Sequence, residues 1–162
     1  MPIPLCRAYK RSLCRVILES RQQLADTMGL QVSVARLRTS GLDANQKMAY
    51  REIYIHSKLM LIDDVFVTLG SANMNQRSMA VDSEINIAAT GLEQVSTLRD
   101  RIFSLLSGGD IHGSGDWKAL PQVFRNWNKN MTTNALAKKG QRAMQGFLLP
   151  FEDHRSTTSM LG

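Results

Sequence analysis

Ile53-Tyr54-Ile55-His56-Ser57-Lys58-Leu59-Met60-Leu61-Ile62-Asp63-Asp64-Val65-Phe66-Val67-Thr68-Leu69-Gly70-Ser71-Ala72-Asn73 is the stretch on which the fold turns. Two runs rich in β-branched and apolar residues flank Asp63-Asp64, a pattern that predicts a β-hairpin with an acidic two-residue turn. In such a hairpin Ile62 pairs with Val65, and the same register carried back sets Ser71 opposite His56. Residues two apart on a strand share a face, so Lys58 follows His56 and Asn73 follows Ser71 on one side of the sheet. Positions 56, 58, 71 and 73 are thus expected to converge on a single patch.

That patch holds an imidazole that titrates near neutral pH, a fixed ammonium, a hydroxyl and an amide, with Gly70 permitting close backbone approach. Histidine can act as nucleophile or proton carrier, and Lys58 and Asn73 can stabilise charge developing on phosphoryl oxygens. Phosphoryl transfer is the chemistry this set fits best. No second His, Cys or carboxylate stands at metal-ligand spacing around it, so neither a metal nor another cofactor is expected. Six specified positions at these spacings have a chance on the order of 10⁻⁸ per starting point in a chain of average composition, so coincidence is not a serious reading.

The pattern His56-x-Lys58, Asp63, Gly70-Ser71-x-Asn73 resembles the HxKxxxxDxxxxxxGSxN (HKD) signature of the phospholipase D superfamily, with the motif region at 50–77. The run Tyr54 to Ile87 is similar to the second such motif of bacterial phospholipase D enzymes. The tail from Trp117 through Asn128, Asn130, Gly146-Phe147-Leu148 and Pro150-Phe151 resembles their C-terminal ends, including those of secreted antibacterial effectors. The resemblance implies an α/β half domain, a mixed β-sheet flanked by helices. It implies catalytic roles for His56, Lys58, Asp63 and Glu84. His56 would be nucleophile or general acid, with a phosphohistidine as intermediate. Lys58, Ser71 and Asn73 would bind the substrate phosphate, and Glu84 would orient the imidazole as the aspartate of a catalytic triad does. Asp63, by its place between the two runs, also suits shaping the turn. Arg77 and Ser78 would extend the phosphate site, with a solvated or structural Arg77 as the alternative.

Family members use two such motifs, and this sequence has one. His112 and His154 have no Lys two residues on and do not supply the second. The resemblance therefore implies a phosphodiesterase half-site acting on the distal phosphodiester of phospholipids. The second half would come from homodimerisation or from a longer chain, of which this would be the C-terminal part with Met1 an internal or misplaced start. Contact with the membrane would be peripheral. The alternatives are a homodimeric endonuclease of the same superfamily, with nucleic acid as partner, and an inactive lipid-binding fragment.

Outward from the motif, residues 1–110 read as the catalytic half and 111–162 as a helical extension and tail. A helix is predicted over residues 11–28, ended by Gly29, then a strand over 31–37 and a loop over 39–47. Glu84–Ala89 reads as a further strand. A helix follows Gly91, carries Val95, Leu98, Ile102, Leu105 and Leu106 on one face, and stops at Ser107-Gly108-Gly109. Leu120, Val123, Phe124, Trp127 and Met131 mark a last helix beginning near Pro121. Its stripe reads as a core-packing face, with a grip on acyl chains as the alternative.

The composition is that of a globular domain: 162 residues, 43% hydrophobic and 21% charged. Lys and Arg number 20 against 14 Asp and Glu, a net +6 that favours an anionic partner. The excess is uneven, +6 over residues 1–51, −3 over 52–90 and +3 over 91–162. Cys6 and Cys14 suit free thiols, not a disulfide framework. No secretory signal is readable, and no apolar run approaches the ~20 residues of a membrane-spanning helix.

Overall fold

The computed structural model describes residues 21–29, 31–113 and 116–151. The chain divides into two compact units, Met1–Val34 and Ala35–Gly162. In the first, helix α1 (Arg21–Met28) ends where Gly29 turns left-handed at φ +64° and donates its N–H to the Ala25 carbonyl. The expected helix before residue 21, both cysteines and His154 lie outside the described residues.

The second unit holds β1 (Ala35–Leu42), β2 (Met48–Glu52), β3 (Lys58–Ile62), β4 (Phe66–Gly70), α2 (Gln76–Ala80), β5 (Asn86–Thr90), α3 (Leu92–Ser107), α4 (Leu120–Lys139) and β6 (Leu148–Pro150). The architecture is α/β, with the strands in two three-stranded antiparallel sheets, β2-β1-β6 and β3-β4-β5.

In the first sheet, β1 runs on through residues expected to be a loop. Arg38 to Leu42 pair with Glu52 to Met48, and Arg38 forms an ion pair with Glu52 across the ladder. Only 43–47 remains as the turn. The Asp43 carboxylate closes it by accepting the N–H groups of Asn45 (2.8 Å) and Lys47 (2.9 Å). The third strand, β6, comes from near the end of the described chain. Arg36 and Leu37 pair with Leu149 and Leu148, which are fully buried.

Asn134 on α4 fixes this return. It is 1% exposed; its amide nitrogen donates to the Gln145 (2.8 Å) and Leu148 (2.9 Å) carbonyls, and its oxygen accepts the Gln145 N–H (2.8 Å). A buried amide satisfied this fully pins main chain to helix. Val95 of α3, Ile111 and Met131 of α4 complete the buried apolar set with Leu148, Leu149 and Ala137. The Phe103 and Trp127 rings meet at 4.8 Å between centroids, joining α3 to α4. Within the stripe on α4, Met131 is buried and Trp127 packs on Phe103, as its core-facing reading expects, while Leu120 is exposed.

The hairpin forms, but its register differs by one residue from the expected one. Asp63 and Asp64 both take left-handed φ (+48° and +57°), a conformation short polar side chains tolerate. Val65 donates its N–H to the Ile62 carbonyl, yet the ladder resumes with Ile62 opposite Phe66. Val65 is the extra residue, and its own carbonyl instead accepts the Gly91 N–H at 3.2 Å. Lys58 consequently pairs with Gly70, and His56 lies before the strand begins. The apolar run Ile53-Tyr54-Ile55 falls outside β2 and β3, although the Ile53 N–H still reaches the Leu37 carbonyl.

Candidate active site

Antiparallel order places the start of β3, the end of β4 and the start of β5 at one end of their sheet. Lys58, Gly70-Ser71 and Glu84-Ile85-Asn86 therefore gather there from three separate stretches of sequence. Asp63 sits at the other end of β3, about 15 Å away at the usual rise per residue. It belongs to the turn and not to this cluster, which fits its reading as a residue that shapes the turn.

Glu84 is the centre of the hydrogen bonding. Ser71 Oγ donates to its Oε2 at 2.5 Å and accepts the Ile85 N–H at 3.0 Å. Ser71, expected in the phosphate cradle, thus has its hydroxyl engaged by Glu84. The Ser71 hydrogen bond first, and then the hydroxyl of Ser78, hold the Glu84 carboxyl below its ordinary range against a desolvation that pushes it up. The Lys58 ammonium adds a smaller pull in the same direction.

Lys58 Nζ also donates to the His56 carbonyl at 2.9 Å, linking the cation to the main chain of the histidine. The His56 ring lies nearly parallel to that of Tyr54, centroids 6.2 Å apart. Among the described residues, no hydrogen bond joins the imidazole to Glu84. The expected shared facing of His56 and Ser71 does not arise from the strand ladder, because the one-residue bulge and the late start of β3 remove it. Asn73 is exposed in the turn after Ser71, where its carbonyl accepts the Asn75 N–H at 2.9 Å.

Gly70 has a steric reason. A Cβ there would stand 1.9 Å from Asn86 Oδ1 and 2.4 Å from the Ile85 carbonyl oxygen, so the close approach it permits is that of β5. Asn86 Oδ1 in turn accepts the Ala72 N–H at 3.2 Å and steadies the turn carrying Ser71 and Asn73. Asn75 accepts the Ser78 N–H at 2.8 Å and caps α2. Neither Asn75 nor Asn86 stands out in the sequence reading. The only signals were a capping residue three positions before Ser78 and an Asn at the head of a strand. Arg77 pairs with Asp82 (2.8 Å), so its structural reading is the one the geometry favours. Elsewhere His112 Nδ1 lies 3.1 Å from Asp100. Among the described residues, no group of His, Cys, Asp and Glu could hold a metal ion.

A family model described as Phospholipase D matches residues 11–114, more than half of the chain. The chain belongs to the phospholipase D family. Phospholipase D alpha 1 of Ricinus communis is 44% identical over 63 residues, 38% of this chain and 7% of that protein. Phospholipase D alpha 2 of Oryza sativa subsp. japonica is 46% identical over 70 residues, 42% of this chain and 8% of the relative. Phospholipase D alpha 4 of Arabidopsis thaliana is 37% identical over 93 residues, 56% of this chain and 11% of the relative. The matched segments thus span only a small part of these curated relatives. All three are plant proteins, and none bears on the expected likeness to bacterial effectors.

Proposed function

We propose that the chain supplies one half of a phosphodiesterase site that cleaves the distal phosphodiester of a phospholipid. The observation that carries this reading is the gathering of Lys58, Ser71 and Glu84 at one sheet end, with Lys58 bonded to the main chain of His56. In the first step an imidazole nitrogen of one histidine attacks phosphorus. The bond to the headgroup oxygen breaks, and that oxygen takes a proton from the second histidine as the headgroup alcohol leaves. In the second step water gives its proton back to that histidine and attacks phosphorus, the P–N bond breaks, and the lipid phosphate leaves with the first imidazole restored. His56 is one of these two groups. In this reading Lys58 and the Asn73 amide bind phosphate oxygens, where developing charge is greatest. Glu84, ionised at neutral pH, complements the positive charge that the site gathers. The second histidine comes from another His-x-Lys half, either in a second copy or in a longer chain.

Phosphatidylcholine vesicles test the reading. Hydrolysis whose rate rises with the square of chain concentration, lost in His56→Ala, is the outcome for a self-complementing half. Hydrolysis only on adding a separately made His-x-Lys half marks dependence on a longer chain. No turnover with either refutes the reading. The net charge of +6 favours an endonuclease as the second reading. Nicking of supercoiled plasmid without lipid turnover, weakening steeply with salt, would select it.

A further inference from the structure

A cleft of about 390 Å³ lies between the end of α4 and the β2-β1-β6 sheet, on elements other than those that gather Lys58, Ser71 and Glu84. Its lining includes Arg36 of β1, Tyr50 of β2, Lys138 and Lys139 of α4, and Leu149 and Pro150 of β6. Alternation puts Arg36, Arg38 and Ser40 on one face of β1, with Leu149 opposite Arg36 and Tyr50 opposite Ser40. Along this face Arg38 is matched by Glu52, but no Asp or Glu lines the cleft itself. The surrounding chain is held in place. Tyr50 Oη donates to the Arg142 carbonyl at 2.8 Å, and Ser40 Oγ accepts the Met144 N–H at 2.9 Å.

Cations in the last turn of a helix commonly match its negative pole. Here the terminal carbonyls are already satisfied by main chain: those of Leu136, Ala137 and Lys138 accept the N–H groups of Gly140, Arg142 and Gln141 at 3.0, 2.8 and 3.1 Å. Among the described residues, neither the Lys138 nor the Lys139 ammonium has a hydrogen-bond or ion-pair partner, and Lys138 is half-buried. Two ammonium groups and a guanidinium around one cleft repel one another, and the apolar walls of Leu149 and Pro150 strengthen the field they share. An anion relieves that repulsion. Phosphate oxygens accept from ammonium groups and from the planar guanidinium fork alike, and the apolar wall suits the carbon chain of an ester. We propose that this cleft is a binding site for a phosphate monoester, separate from the Lys58 cluster and held chiefly by Lys138 and Lys139. It does not depend on the phosphodiesterase reading.

The test is an amide NMR titration of the full chain with glycerol 3-phosphate, a soluble monoester, followed at Arg36, Tyr50, Lys138 and Lys139. Saturable shifts at these positions are expected, and they persist in His56→Ala. Lys138→Gln combined with Lys139→Gln weakens binding about tenfold, as loss of charge-assisted contacts does. Lys129→Gln removes the same charge from the same helix about 15 Å from Lys139 and leaves the affinity unchanged. Equal weakening by Lys129→Gln and by the double variant overturns the site in favour of general attraction to a basic chain. Shifts confined to the Lys58 cluster overturn it as well. If the double variant does not fold, Lys139→Gln at its exposed position decides, and an unchanged affinity there overturns the proposal. Vesicles separate the two sources of the ligand. Phosphatidylcholine vesicles that contain phosphatidate retain the chain through Lys138 and Lys139 if the monoester is a lipid headgroup. Binding of glycerol 3-phosphate without such retention assigns a free phosphate ester. No response to either overturns the site. Saturable binding in a chain that hydrolyses no phosphodiester keeps the site and removes only the phosphodiesterase reading.

Discussion

Gly70 and Glu84 show how closely the residues of this site depend on one another. Gly70→Ala puts a methyl into the space of Asn86 Oδ1 and the Ile85 carbonyl, neither more than 2.4 Å away. The expected loss is about 1–3 kcal/mol, the usual cost of overpacking, read as a lower denaturation midpoint. Adding Asn86→Ala removes the side-chain clash but not the main-chain one, so recovery should be partial; full recovery would contradict the backbone contact. For Glu84 the prediction concerns pH. Its carboxyl in the folded chain lies below its ordinary value of 4.5, so its stabilising contribution is present above that value. The contribution is lost as pH falls through the folded-state value. Glu84→Gln should therefore unfold more easily than the unsubstituted chain at neutral pH, and the gap should close as acid protonates Glu84. A gap that is constant across this window in chemical denaturation would disprove the shift. The sequence displayed His56, Lys58, Ser71 and Asn73 through their spacing alone. It could not display that Ser71 turns to Glu84, because that depends on which residue of β5 reaches the end of β4.

At the scale of elements, the hairpin tip is tied to α3 through Asp64 and Arg99, 2.6 Å apart with both side chains 12% exposed. Asp64→Ala leaves a largely buried guanidinium without that carboxylate, and a loss of about 3–5 kcal/mol is expected. Asp64→Ala combined with Arg99→Met should regain much of it, since removing both charges avoids the stranded one. Thermal unfolding of the single and double variants decides, and equal destabilisation in both would show that the pair does not act as a unit. This tie also explains what the sequence reading could and could not see. The helices were legible at their ends: Gly108 is left-handed at φ +75° after α3, and Pro121 stands in the first turn of α4. The hairpin was legible as an element but not in register. Its bulge at Val65 is fixed by a hydrogen bond from Gly91, and nothing in the local pattern encodes that. β6 was invisible for a related reason. Three residues carry no periodicity, and their strand exists because β1 and the Asn134 amide receive them.

For the second unit as a whole, the distribution of apolar surface is the feature with the widest consequence. The well-buried apolar residues come from α3, α4, β6 and Ile111, whereas the rim around the candidate site exposes large apolar side chains. Tyr54 is 87% exposed, Met74 85%, Ile85 79% and Val81 77%. All of β5 is exposed, and it is an edge strand whose five residues, Asn-Ile-Ala-Ala-Thr, include no charge and no proline. Natural edges are usually protected by such residues, and an apolar edge without them is a template for pairing. The chain studied alone should therefore self-associate. At about 100 µM, in the range where unpaired edges and apolar surface drive association, sedimentation velocity should show species larger than a monomer. Ile87→Lys places an ammonium on that edge without entering the Glu84 cluster. It should return the chain to a monomer while leaving the Glu84 titration unchanged. A chain that stays monomeric at this concentration would refute the edge as an association surface. Association undiminished by Ile87→Lys would assign it to another face.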